Sequence, residues 1–217
     1  MTNLAILAQH LIDGHDAEVG RLTREALDEG QAPADILEQG LIAGMQVVGE
    51  RFRDNIIFVP EVLVAARAMK AGLAHLEPVL AACGIEPIGT FVIGTVKGDI
   101  HDIGKNLVGM MLKGAGFRVI DLGVNTPLTK FQAAIEEHRP DIVGMSALLT
   151  TTMGQMKVNI EAFRAAALFD RMRVMVGGAA VSEDFAETIG AHGYGKDAPA
   201  SVTRALELLA EVRATRA

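Results

Sequence analysis

The chain has 217 residues, half of them hydrophobic, which is enough to bury one or two sizeable cores. Its 20 basic and 27 acidic residues give a net charge of −7, which argues against general nucleic-acid binding. The single cysteine, Cys83, excludes an internal disulfide and a cysteine-held metal cluster. Because no apolar run approaches a spanning length and no secretory signal is evident, we expect a cytoplasmic protein without a membrane partner.

Helical periodicity runs through residues 1–88, which are predicted to form the first domain. Apolar residues recur at helical spacing over 4–12, 19–26, 34–52 and 60–76. Pro60 suits the first turn of the last helix, and Pro78 is predicted to kink or restart it. Four amphipathic helices with short polar joints predict a helical bundle, followed by a linker over 82–89.

The pattern changes after the linker, over the second predicted domain, 89–217. Short apolar runs alternate there with helical stripes, which predicts a parallel sheet with right-handed crossovers. Five such units fit a flavodoxin-like, doubly wound α/β domain. The predicted strands are Thr90–Gly94, Arg118–Leu122, Ile142–Ser146, Arg173–Val176 and a fifth near Gly193–Tyr194. The predicted helices cover 104–115, 128–138, 152–168, 182–189 and about 198–213.

The turn after the first strand contains Asp99, His101 and Gly104 in the spacing Asp-x-His-x-x-Gly. In an open α/β sheet, ligands bind at the carboxyl ends of the strands, where this turn lies. An imidazole can bind a metal through one nitrogen while a neighbouring carboxylate holds the proton of the other. Gly104 would let the backbone approach a large flat ligand closely. Alone, the same spacing also fits a solvated loop.

Two further turns should lie along the same edge of the sheet. Ser146–Met153 is rich in hydroxyls, which could cap the next helix or hydrogen-bond a buried heterocycle or Asp99. Gly177–Ala180 begins with two glycines, which fit an ordinary tight turn or leave room for a bulky ligand. Neither is a phosphate-binding loop. His138 and His192 lie near turns and are predicted to be solvated.

The three motifs occur in the order Asp99-x-His101-x-x-Gly104, Ser146-x-Leu148 and Gly177-Gly178, after a helical bundle. In this combination the chain resembles the corrinoid-binding proteins of cobalamin-dependent methyltransferases, over nearly its whole length. It is similar to those that serve methylamine or methanol methyltransferases, and to the cobalamin module of methionine synthase. The family implies a cobalamin or related corrinoid, such as methylcobalamin or hydroxocobalamin, as the cofactor.

The resemblance implies a role for individual residues. His101 would be the lower axial cobalt ligand in place of dimethylbenzimidazole, with Asp99 and Thr152 completing a proton relay. The cap over the methyl-bearing face would come from Phe58–Leu63. Further implied cofactor contacts, including a slot for the displaced nucleotide tail, are Asp102, Ile103, Gly104, Ser146, Leu148, Thr150, Gly177, Gly178 and Tyr194. Many relatives have Asp where this chain has His192, which leaves the role of that position open.

The function implied is a corrinoid methyl carrier that alternates between cobalt(I) and methyl-cobalt(III). Its partners would be a substrate-specific methyltransferase, a second methyltransferase that passes the methyl group to tetrahydrofolate or a thiol, and a reductive activase. Three alternatives remain: a cobalamin-dependent sensor, the cobalamin domain of a carbon-skeleton mutase, and a flavodoxin-like domain without a cofactor. A sensor would carry a basic DNA-binding domain, and a mutase a radical-generating barrel.

Overall fold

A computed structural model describes residues 2–216, so the outermost residues of the predicted domains, 1 and 217, lie outside it. The chain divides into two compact units. The first comprises the residues up to Pro87 together with Lys113–Gly116, and the second comprises Ile88–Leu112 together with the residues from Phe117 onward. We call them the helical unit and the sheet unit.

The helical unit contains four helical segments. These are α1 (Leu4–Ile12), α2 (Asp16–Asp28), a continuous segment over 33–53, and α5 (Val59–Ala82). The third segment consists of α3 (Pro33–Asp35), a π-helix (Ile36–Ile42) and α4 (Ala43–Arg53). Helices form here because apolar residues recur every three or four positions and are buried together, as Leu7 and Leu11 are. The predicted restart at Pro78 is wrong, since α5 continues through that residue to Ala82.

The sheet unit contains five parallel strands in the order β2-β1-β3-β4-β5. They are β1 (Thr90–Thr95), β2 (Arg118–Asp121), β3 (Ile142–Ser146), β4 (Arg173–Gly177) and β5 (Gly193–Gly195). The central strands are nearly continuous apolar runs because helices cover both faces of such a sheet. This strand order is that of flavodoxin-like folds, whose ligands bind where the order reverses, next to β1 and β3.

Five helices connect or follow the strands. They are α6 (Ile103–Gly114), α7 (Leu128–His138), α8 (Thr150–Ala165), α9 (Glu183–Thr188) and α10 (Ala198–Arg216), with a 3₁₀ turn at Phe169–Arg171. Phe131 of α7 and Phe163 of α8 are fully buried in one apolar cluster with strand residues such as Val143 and Val174. The predicted fold class, a helical part followed by a five-stranded parallel sheet, is confirmed.

One histidine differs from its prediction. His192 is only partly exposed, because its ring stacks on Phe169 at 4.4 Å and its Nδ1 accepts the Val174 N–H at 2.9 Å. Burial, and then the positive charge of Arg173, lower its pKa to about 4. The neutral ring therefore serves as a packing group of the sheet unit, where solvation was predicted.

Candidate functional site

Three side chains form a hydrogen-bonded chain at the carboxyl end of β1. His101 Nδ1 lies 2.7 Å from one carboxylate oxygen of Asp99, and the Thr152 hydroxyl lies 2.8 Å from the other. The residues meet because β1 and β3 are adjacent, which brings the loop after β1 against the start of α8. The imidazole is 46% exposed, whereas the Asp99 side chain is fully buried.

Asp99 is the centre of the hydrogen-bonded chain. Its Oδ1 also accepts the backbone N–H of His101 at 3.0 Å, and its Oδ2 accepts those of Leu148 at 2.8 Å and Leu149 at 3.3 Å. Leu149 precedes the first residue of α8, so Asp99 caps that helix from another loop. A carboxylate is well placed there, because helix N-termini carry unpaired N–H groups and partial positive charge.

The pKa of Asp99 follows from these contacts. Burial raises the pKa, but hydrogen bonds from the backbone and ring of His101, the Leu148 N–H and the Thr152 hydroxyl outweigh burial and bring it well below its usual range. Asp99 is therefore a carboxylate at neutral pH and can only accept hydrogen bonds. His101 must then donate through Nδ1, which leaves the lone pair of Nε2 for a metal.

Packing within the protein itself explains the two glycines at the end of β4, of which Gly177 is the last strand residue. Gly177 pairs with Ser146 of β3, and a side chain on Gly177 would meet the Gly195 carbonyl oxygen at 2.7 Å. Gly178 has a φ of +117°, and a Cβ there would lie 2.1 Å from the Ala147 carbonyl oxygen. Glycine is thus required by close backbone packing at the ends of β3 and β4, whatever ligand binds nearby.

This packing predicts a large effect of Gly178→Ala on stability. A side chain in that conformation and at that distance should cost about 3 kcal/mol of unfolding free energy. Gly154→Ala is the matched control, because Gly154 lies in α8 with no atom within 4 Å of an added Cβ. It should stabilise the protein by up to about 1 kcal/mol. Urea unfolding of both variants measures the difference, and equal effects would contradict this account.

The other predicted contacts differ in their surroundings. Asp102, Ile103, Leu148 and Thr150 are exposed in the two loops or helix starts that carry the hydrogen-bonded chain. The Asp102 carboxylate accepts from the Asn106 side chain at 3.0 Å.

Tyr194 lies on β5, away from β1, and its hydroxyl donates to the Val181 carbonyl at 3.0 Å. The structure therefore brings together Asp99, His101 and Thr152, but not Tyr194.

A cleft of about 800 Å³ lies at the opposite edge of the sheet. Its lining includes Pro140 before β3, Arg173 at the start of β4 and Thr215 near the end of α10. These residues are at the amino ends of the strands, whereas His101 follows a carboxyl end. The cleft is therefore separate from the hydrogen-bonded chain.

Comparison with known proteins identifies the family. The model of the B12 binding domain matches residues 89–203, and a second model of the same description matches residues 4–77. A corrinoid protein of Desulfitobacterium hafniense is 43% identical over 96% of this chain and 98% of its own length. Trimethylamine corrinoid protein 1 of Methanosarcina acetivorans is 41% identical over 93% and 95%.

The chain belongs to the B12-binding corrinoid protein family. A methanol:cobalamin methyltransferase complex from Methanosarcina barkeri contains a chain with a TM-score of 0.85 and 30% identity, over 94% of this chain and 78% of that one. The predicted family and its corrinoid cofactor are thereby confirmed. Among the helices of residues 2–216, none is long and apolar enough to cross a membrane.

The surroundings of His101 fit a corrin ring. A corrin is a broad macrocycle with apolar faces and ring methyl groups, so a lower ligand for it must be an imidazole that is open to solvent, with apolar groups nearby that can pack against the ring. An added Cβ at Gly104 would meet no atom within 4 Å, so space is open at the start of α6, three residues after His101. Four exposed apolar side chains lie in the loops of the hydrogen-bonded chain: Ile100 at 73%, Ile103 at 75%, Leu148 at 41% and Leu149 at 42%. Within residues 2–216, no group of three histidine, cysteine or acidic side chains could hold a metal ion.

Three residues around the loop were missed from the sequence. Asn125 hydrogen-bonds Gly98 and Asp99, while Lys105 is buried against the Asp121 carboxylate. Only the Gly-Val-Asn stretch after β2, a turn signal, pointed to the first of these. The burial of Lys105 had no signal, because a lysine in a helix is expected to face solvent.

Proposed function

We propose that this protein is a methyl carrier that holds a corrinoid with His101 as the lower axial ligand. The observation that carries the proposal is the chain from His101 through Asp99 to Thr152, which fixes the tautomer with Nε2 unprotonated. The relatives named as corrinoid proteins, and the chain in a methanol:cobalamin methyltransferase complex, support a role in methyl transfer.

When bound, the corrinoid supplies the cobalt that accepts and gives up the methyl group. His101 would hold the cobalt through Nε2, and Asp99 holds the proton on Nδ1. Asp99 is itself held by the Leu148 N–H and the Thr152 hydroxyl, so the ring that it orients would keep one position for binding the metal.

The partners and the other contacts are part of the same proposal. One substrate-specific methyltransferase would deliver the methyl group, and a second would pass it to tetrahydrofolate or a thiol, so this chain would not be competent alone. A reductive activase would restore inactive cofactor. Ser146, Leu148 and Thr150 would line the nucleotide slot, and the cap formed by Phe58–Leu63 stays a prediction. Phe58 and Leu63 are exposed within the helical unit.

Cofactor retention and methyl transfer test the function together. The protein is incubated with hydroxocobalamin, freed of unbound cofactor by gel filtration and examined by visible absorbance. We expect about one corrinoid per chain, with a spectrum in which dimethylbenzimidazole no longer binds cobalt. Reduced, loaded protein is then mixed with labelled methanol or methylamines and the matching methyltransferases. Label should appear on the corrinoid with at least one of them, and a colourless protein would exclude the proposal.

The Thr152 hydroxyl should have a measurable effect on transfer. The hydroxyl oxygen of Thr152 lies 2.8 Å from Asp99 Oδ2 and 2.9 Å from the Leu149 carbonyl oxygen. Thr152→Val removes the hydroxyl and should slow methyl transfer about 10-fold, as expected for a partner of a metal ligand. Thr152→Ser should stay close to the unsubstituted protein. Thr151→Val is the matched control, because Thr151 is exposed and outside the hydrogen-bonded chain.

The transfer assay decides between two roles for Thr152. If Thr152→Val slows transfer no more than Thr151→Val does, the hydroxyl plays no part in the relay. Unfolding measurements on both valine variants show whether any slower transfer comes from lost stability alone. The serine variant separates loss of the hydroxyl from loss of the methyl group.

A further inference from the structure

The loop that carries His101 is held from its other side by the segment between β2 and α7, residues 122–127, which we call the β2–α7 loop. Asn125 makes two bonds to the histidine loop. Its side-chain oxygen accepts the Gly98 N–H at 2.8 Å, and its own N–H donates to the Asp99 carbonyl at 2.8 Å. Asn125 therefore holds the peptide groups on both sides of the bond between Gly98 and Asp99.

The conformation of Asn125 makes both bonds possible. Its φ is +49°, in the left-handed region that asparagine tolerates better than most residues. Gly98, with a φ of +86°, turns its N–H toward the asparagine oxygen. The two residues thus form a matched pair of left-handed positions, one in each loop.

The β2–α7 loop is itself anchored to the helix that follows His101. The Lys105 side chain, 1% exposed, lies with its Nζ at 2.7 and 2.6 Å from the two carboxylate oxygens of Asp121. The same Asp121 carboxylate accepts the Gly123 N–H at 2.8 Å. In addition, Thr95 donates its N–H to the Gly123 carbonyl at 2.9 Å and accepts the Thr126 N–H at 2.8 Å. The loop is therefore a fixed support.

Asp99 is consequently restrained twice. Its carboxylate is held by the start of α8, and its backbone is held by Asn125. His101 depends on both restraints, because nearly half of its side chain is exposed and its ring is oriented through Asp99. A ligand that is not fixed by packing needs its supporting groups to stay within a fraction of an ångström.

We infer that Asn125 is a positioning residue, which holds the loop backbone so that the His101 imidazole would be correctly placed to bind the cobalt. The inference rests on the proposed function. It concerns geometry, so loss of the Asn125 side chain should change how much of the cobalt is bound by histidine while the corrinoid stays bound.

The test measures the axial ligand directly. Protein loaded with cob(II)alamin is examined by electron paramagnetic resonance, in which an axial nitrogen splits the cobalt lines. Asn125→Gly removes the side chain and keeps the left-handed conformation accessible. It should lower the ratio of nitrogen-bound to nitrogen-free cobalt about 2- to 10-fold, the effect of one lost hydrogen bond. Asn125→Asp keeps an acceptor oxygen and should restore most of the ratio.

Asn55→Gly is the matched control. Asn55 is also left-handed, with a φ of +57°, and it is exposed in the helical unit. This variant should leave the ratio unchanged. Thermal unfolding and cob(II)alamin affinity are measured alongside. If Asn125→Gly fails to fold, Asn125→Ser, whose hydroxyl is one bond shorter, provides the same comparison.

The outcomes separate this inference from the proposed function. If the unsubstituted protein shows nitrogen splitting that requires His101, and Asn125→Gly keeps the same ratio with only lower stability, Asn125 is purely structural and the inference is wrong. The proposed function would stand. If the unsubstituted protein binds cob(II)alamin with no such splitting, both are overturned. A lower ratio with rescue by aspartate supports the inference.

Discussion

Protein carrying His101→Ala is expected to retain corrinoid but to lose the nitrogen splitting in the cob(II)alamin form. Methyl transfer should fall at least about 100-fold, the upper end of what disturbing a metal ligand's environment costs. Folding should change little, because the His101 side chain is nearly half exposed and only its ring bond to Asp99 is lost. Electron paramagnetic resonance and a transfer assay on the same samples measure both effects.

A second histidine provides the control for this experiment. His138 lies in the last turn of α7, within 3.7 Å of Glu137, and takes no part in the hydrogen-bonded chain. His138→Ala should keep both the splitting and the transfer rate. Added imidazole should partly restore the nitrogen signal in His101→Ala, since the lost side chain leaves its place open. Unchanged transfer in His101→Ala would refute the ligand assignment.

Asp99→Asn should instead destabilise the fold. The carboxylate is buried and accepts from five donors, and an amide of the same shape would turn an N–H₂ group toward some of them. We expect a loss of about 2 to 4 kcal/mol in the free energy of unfolding at pH 7. Urea unfolding followed by circular dichroism measures it without any cofactor.

The pH dependence gives a second signature of Asp99. Its folded-state pKa lies below the ordinary value of about 4 that it should have in the unfolded chain. The stability it contributes is therefore fully present above about pH 4 and is lost as the pH falls below that value. The difference in stability between the unsubstituted protein and Asp99→Asn should narrow as the pH falls below about 4.

Asp102→Asn is the control for both measurements. Asp102 is exposed in the same loop, so its substitution should change the free energy of unfolding by about 0.5 kcal/mol or less. Equal stability of Asp99→Asn and Asp102→Asn at pH 7 would show that the buried carboxylate does not hold the loop and α8 together.

Much of the fold and the centre of the site could be predicted from the sequence, because they rest on local patterns. Alternation of short apolar runs with helical stripes determines a doubly wound sheet, and the spacing of Asp99 and His101 puts both in one turn. Thr152 was predicted through the family resemblance, and the structure places it 2.8 Å from Asp99. Thr152 and Asp99 are 53 positions apart in the sequence, and no local pattern predicts a contact over that separation.

What could not be predicted depends on contacts between distant segments. Asn125 is ordinary as a turn residue, and only the tertiary structure brings its amide to Gly98, 27 positions away. From the sequence alone, Lys105 would be assigned to the surface. Its burial in α6 requires the Asp121 carboxylate, which lies at the end of β2. Pro78 was expected to kink or restart a helix, but α5 continues through it to Ala82 without a restart. At Lys105 and Pro78 the local expectation yields to tertiary packing, whereas Asn125 keeps its turn conformation and gains its role from a distant segment.

The contrast in burial between Asp99 and His101 has an evolutionary consequence. The exposed histidine contributes chemistry and little stability, whereas the buried aspartate holds the loop to the start of α8. A descendant of this chain released from selection for methyl transfer could exchange residue 101 freely, while most exchanges at 99 would be removed for misfolding. In such lineages Asp99 should be retained longer than His101. A sequence with Asp99 but without histidine at position 101 would then indicate a protein that has lost methyl transfer and kept its fold.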